Sequence, residues 1–127
     1  MWLFDKFKKK PTYTLETQFY AFTNETISAS LFDDVISSFY RCPEDFMSLA
    51  PHKPIQDSIF IQVTTLETAD FPFMLEVGFD DKGAGYTRYR LYTKDKNVVL
   101  RHFVDYWQEQ RIPDISFWAD VSADRKQ

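Results

Sequence analysis

Cysteine, histidine and glycine are scarce here, with one, two and three residues respectively in a chain of 127. Cys42 alone cannot close an intramolecular disulfide, and His52 and His102 are too few to complete a Cys/His zinc cluster with it. A reducing, cytoplasmic setting is the expectation, with no metal and no cofactor. Gly83 and Gly85 flank Ala84 beside Lys82, but neither a Walker-type run nor a G-x-G-x-x-G between strand and helix is present. Phosphate cradling is therefore unsupported, and a tight hairpin loop explains these glycines. Long apolar runs are also missing. The start Met1-Trp2-Leu3-Phe4-Asp5-Lys6-Phe7 lacks the apolar core of about 7–15 residues that a signal peptide needs. No later stretch approaches the roughly 18 residues of a membrane span. The expectation is a chain neither exported by an ordinary signal peptide nor membrane-spanning.

Aromatic side chains, by contrast, are plentiful: thirteen Phe, seven Tyr and three Trp. That much apolar surface offsets the ordering entropy of a chain of this length, so a single domain over 1–127 is expected, with fraying at 123–127. Charge is uneven. Four lysines against Asp5 give residues 1–10 a net +3, which leaves −7 of the overall −4 to the rest. An acidic body disfavours nucleic acid, whose phosphates need clustered Lys or Arg, and favours a basic partner. Trp2, Leu3, Phe4 and Phe7 beside the lysines suit weak peripheral contact with an anionic membrane, although a first helical turn on the domain explains them better.

Period-two alternation predicts a strand over Thr12–Phe22, with Tyr13, Leu15, Thr17, Phe19 and Ala21 on one face. Leu31, Phe32, Val35, Ile36, Phe39 and Tyr40 then recur at helical spacing, capped by Ser28 or Ser30 and ended by Cys42-Pro43. Pro43-Glu44-Asp45-Phe46 reads as a short helical turn before a loop at Pro51 and Pro54. Ile59, Ile61 and Val63 mark a strand, and Phe71, Phe73, Leu75, Val77 and Phe79 give the longest alternation. Asp81 to Gly85 turn the chain back into Tyr86–Thr93. A five-residue loop sets Val77 opposite Tyr89, Leu75 opposite Leu91, and Glu76 opposite Arg90 on the outer side. A second helix follows Thr93 or Asp95, with Val99, Leu100, Phe103, Val104, Tyr106 and Trp107 inward, ending near Arg111 before Pro113. Ile115-Ser116-Phe117-Trp118 should add an edge strand or fold over the core. The fold class is α+β: a mainly antiparallel sheet of about four to five strands, packed on one face by two main helices.

No constellation of catalytic side chains stands out. Asp33-Asp34, about 100° apart on a helix, would diverge, and Asp80-Asp81 is turn chemistry. A Cys42/His52 dyad has no spacing to support it, and His102 sits between core positions. Glu16, Glu67 and Glu76 could meet in space as paired carboxylates, but nothing selects them. The outer side of the hairpin is more informative: Tyr86, Arg88, Arg90 and Tyr92 alternate along one strand, with Glu76 beside them. Such an aromatic and arginine surface is enriched at interaction hot spots. An ordinary solvated face, or one covered by the tail around Trp118, is the competing explanation.

The lysine-rich start Phe4-Asp5-Lys6-Phe7-Lys8-Lys9-Lys10, followed by the order hairpin, helix and Pro113-Asp114 tail, resembles small acidic cytosolic bacterial immunity proteins. These neutralise polymorphic or contact-dependent toxins. The resemblance implies a non-enzymatic protein-binding chain whose partner is a toxin with a basic surface, and it carries over no individual residue. The alternative is a small-molecule-binding or enzymatic domain with an aromatic-lined pocket between sheet and helices.

Overall fold

The computed structural model describes residues 11–66, 72–82 and 85–122. The basic segment 1–10, Glu67, Phe71, Gly83 and the tail 123–127 lie outside the described residues. Seven strands form one antiparallel sheet: β1 (Tyr13–Thr17), β2 (Ala21–Phe22), β3 (Phe46–Pro51), β4 (Ser58–Thr65), β5 (Phe73–Asp80), β6 (Tyr86–Thr93) and β7 (Ala119–Asp120). Their order is β2-β1-β3-β4-β5-β6-β7. Helix α1 (Ala29–Ser37) lies between β2 and β3 in sequence, and α2 (Lys96–Gln108) between β6 and β7. The class is α+β, as expected, but with seven strands in place of four to five.

The longest alternation forms the sheet centre. Leu75 faces Leu91, Glu76 faces Arg90 and Val77 faces Tyr89. Asp80 pairs with Tyr86, so the loop has five residues, and Gly85 sits at a φ of 101° that a side chain would strain. On the inner side Tyr13, Leu15, Met47, Leu49, Ile61, Val63, Leu75 and Val77 are fully buried. Phe32 and Ile36 of α1 and Val99, Phe103 and Tyr106 of α2 close the core over them. The Phe32 ring links the helices, 5.5 Å from Phe103 and edge-on to Trp107 at 5.7 Å.

Three elements differ from expectation. The strand expected over Thr12–Phe22 is a hairpin: Thr17 N–H donates to the Tyr20 carbonyl (2.8 Å), and Tyr20 N–H to the Thr17 hydroxyl (3.2 Å). The turn contains no glycine or proline, and Phe19 is thrown outward, away from the core face it was expected to join. Helix α1, capped at Ser28 by a bond from Leu31 N–H, stops at Ser37 rather than Cys42. There the Ser38 hydroxyl takes the Val35 carbonyl (2.6 Å), and bonds from residue i to i−3 carry the chain on to Asp45. Pro43–Phe46 is not a helical turn, and Phe46 opens β3, whose Met47 and Leu49 fill the core. Helix α2 is capped by Asp95 and ends at Gln108, with Gln110 left-handed at φ 50°. Of the tail stretch expected to add an edge strand or fold over the core, Ile115 and Trp118 pack on the core while Phe117 stays exposed, and the edge strand β7 forms just after it, pairing with β6.

A small polar network crosses the core. Ser58 donates to the Gly78 carbonyl (3.1 Å), so the Tyr106 hydroxyl donates to Ser58 Oγ (2.8 Å). Tyr13 donates to the Tyr106 carbonyl (3.0 Å). Burial pushes the phenols of Tyr13 and Tyr106 above their ordinary pKa, only partly opposed by hydrogen bonds to Gln110 and Ser58 respectively. The unfolded chain ionises these groups near pH ~10 and the folded chain does so later. Their stability contribution is complete below pH ~10 and is lost as pH rises above it. In an alkaline titration followed by phenolate absorbance, two of the seven tyrosines should ionise only together with the loss of tertiary structure. Early ionisation of all seven in a folded chain would contradict the network.

Candidate interaction surface

Because β6 alternates, Tyr86, Arg88, Arg90 and Tyr92 leave the sheet on the side away from both helices, opposite Asp80, Gly78, Glu76 and Met74 of β5. Glu76 is the centre of this group, 4% exposed. Its Oε1 accepts from Arg88 Nη1 (3.2 Å) and its Oε2 from Arg90 Nε (2.7 Å), while Arg90 Nη1 donates to the Tyr92 hydroxyl (3.2 Å). The two arginine side chains are only 17% and 16% exposed. Burial alone would lower the Arg90 pKa, but its bonds to Tyr92 and Glu76 outweigh this and leave it raised. The guanidinium groups are thus fixed in place by one shared carboxylate. Two buried polar atoms on the same face, Arg88 Nε and Thr64 Oγ1, have no hydrogen-bond partner among the described residues.

Beside the arginines an aromatic pair covers bare backbone. Phe60 lies over Gly78 and meets Tyr86 edge-on, with centroids 6.1 Å apart. A Cβ at residue 78 would run into the Phe60 ring. Gly78→Ala should therefore swing Phe60 off its site and cost about 1–3 kcal/mol in urea denaturation. Adding Phe60→Ala should recover part of that loss, and strict additivity of the two would disprove the contact.

The other candidate residues are dispersed. Cys42 precedes β3 and His52 follows it, so a six-residue strand of about 20 Å separates them and no dyad forms. Cys42 Sγ meets Gln18 Oε1 (3.7 Å), and the His52 ring nitrogens meet the hydroxyls of Thr12 (2.7 Å) and Thr14 (3.4 Å). Glu16 and Glu76 share a row across Ser48 and Gln62, three strand spacings or roughly 14 Å apart, beyond the roughly 5–10 Å of paired glycosidase carboxylates. Asp33 is held by Lys96 (3.0 Å), whose hydrogen bond, with that of Ser37, lowers its pKa. Asp34 points instead into a different cleft. Asp80 accepts from Lys82 N–H in the hairpin loop. His102 stacks edge-on against Trp118 (5.6 Å), and burial lowers its pKa against the opposing pull of Asp105. Among the described residues no group of three or more His, Cys, Asp or Glu could hold a metal ion, and no helix is long and apolar enough to cross a membrane.

The fold also shapes two clefts. A cleft of about 440 Å³ opens between the end of α1 and the ends of β4 and β5, lined by Ile36, Phe39, Tyr40, Thr65, Phe73 and Lys96. A second, of about 210 Å³, lies between the β1–β2 turn and α1. Comparisons with protein-family models, with curated proteins and with solved structures find no match.

Proposed function

We propose that the chain is a non-enzymatic protein-binding protein, most concretely a bacterial immunity-type protein that neutralises a toxin in the cytoplasm by covering it. One observation carries this reading: the sheet face away from both helices holds Arg88, Arg90 and Tyr92 in a fixed array around buried Glu76, with Tyr86 on the same face against Phe60. Arginines and tyrosines held in one geometry lose little conformational entropy on association, which is the property of hot-spot residues. The acidic body favours a partner with a basic surface.

A second reading, a small-molecule site, is favoured by the largely apolar cleft of about 440 Å³, whose size suits an organic ligand. The two are separable. Mixing the purified chain with a toxin encoded beside it should give a stoichiometric complex and protect the toxin's target, and Arg90→Ala with Tyr92→Ala should weaken that complex at least 100-fold. No complex and no protection would refute the immunity reading. Saturable chemical-shift changes on Phe39, Thr65 and Phe73 with a fragment library would then support the second.

A further inference from the structure

Four of the exposed large apolar side chains, Phe19, Tyr20, Tyr40 and Tyr92, occupy the end of the sheet where β1 stops and β3 begins. Two of them, Phe19 and Tyr20, form the tip of the β1–β2 turn at one corner, 69% and 67% exposed, while Tyr40, 75% exposed, follows α1 and lines the cleft of about 440 Å³.

The corner is rigid. Asp45, nine-tenths buried, accepts from Gln18 N–H (2.8 Å) and Phe46 N–H (2.7 Å) through one oxygen, which ties the turn to the start of β3. The cleft between turn and helix is bounded by Tyr20, Phe22 and Val35 on its apolar side and by Asp34, Ser38 and Asp45 on its polar side. Both charged groups on it are acids, and neither Asp34 nor Asp45 is in an ion pair with a described lysine or arginine. Arg41 is folded onto its own neighbour, with its guanidinium carbon 5.2 Å from the Tyr40 ring centre.

We infer that this cleft is an anchor pocket for a lysine or arginine side chain projecting from a basic protein partner. The aliphatic stem lies against Phe22 and Val35, the charged head reaches Asp34 and Asp45, and the Tyr20 ring offers its face to the cation. This deepens the protein-binding reading and rests on it. It adds, at the acidic corner, the contact for the partner's basic side chains, beside the contact through the arginine-bearing sheet face.

The test is a titration of the isotope-labelled chain with the peptide Ac-Gly-Arg-Lys-Arg-Gly-NH2 in low salt, with Ac-Gly-Glu-Asp-Glu-Gly-NH2 as control. Saturable amide shifts confined to Thr17, Tyr20, Phe22, Asp34, Val35 and Ser38, seen with the basic peptide alone, are expected. Asp34→Lys, an exposed substitution that leaves the Asp45 clamp intact, should weaken binding at least tenfold without changing the melting temperature. Tyr20→Ala should weaken it several-fold. No saturation up to about 10 mM peptide, shifts scattered over other faces, or an unchanged affinity in Asp34→Lys would each overturn the pocket. A toxin complex that forms equally well with Asp34→Lys would overturn the pocket and leave the immunity reading standing. Saturable peptide binding in the cleft without any toxin complex would do the reverse.

Discussion

Replacing Glu76 by alanine is expected to cost about 3–5 kcal/mol of folding stability, read as a lower denaturation midpoint at unchanged slope. The carboxylate is almost fully buried and is, among the described residues, the acid that both Arg88 and Arg90 touch. Removing it leaves two guanidinium groups side by side, half-withdrawn from water, with their shared counter-charge gone. The arginines keep some exposure, which places the loss toward the lower end of that range. Two controls separate charge from packing. Glu76→Gln keeps one acceptor and should lose less. Replacing all three residues with methionine removes the charges together and should come close to the parent, because desolvated ion pairs and apolar isosteres are often nearly equivalent. A loss below about 1 kcal/mol for Glu76→Ala would show that the trio is a solvated surface pair.

A comparable loss, about 3–5 kcal/mol, is expected for Phe103→Ala. Phe103 is fully buried where α2 meets both the sheet and Phe32 of α1, so truncation opens a cavity shared by three elements. Neither helix can move in to fill it without disturbing the Phe32–Trp107 contact. For a chain of this length the melting temperature should fall by roughly 10–20 °C, which removes much of the margin of an ordinary domain. The control is Phe117→Ala: that ring is nearly all in water, and its loss should move the midpoint by less than about 0.5 kcal/mol. A fall in stability at Phe117 matching that at Phe103 would mean the tail is packed differently.

The contrast between what the sequence made legible and what it hid has a physical basis. The β5–β6 register was readable because three local signals agreed: unbroken alternation, a glycine-containing loop of fixed length, and opposite charges at Glu76 and Arg90. Caps at Ser28 and Asp95 were readable for the same reason, since a cap lies within three residues of its partner. The β1–β2 turn was not, because Asp45, which holds it, is 27 residues away from Gln18. β3 was hidden by Pro43 and Glu44, which imitate a helix start just before the short alternation of Met47 and Leu49. The alternation of β6 placed Tyr86, Arg88, Arg90 and Tyr92 on one side of the sheet, but the arginines' tether to a buried carboxylate and Phe60 resting on Gly78 are tertiary facts. The acidic corner combines residues from β1, the turn, α1 and the start of β3, and no single stretch announces it.

The two marginal strands, β2 and β7, are each two residues long. An open sheet normally carries a hazard at its borders, where unsatisfied amides and carbonyls can template the addition of another chain. Here the ribbon closes on stubs too short to nucleate that growth, and Tyr13 N–H at one border is taken by the Asn24 side chain (2.9 Å). Border strands this short blunt strand addition through the backbone, which leaves the bare rings and the face of arginine and tyrosine to act through their side chains.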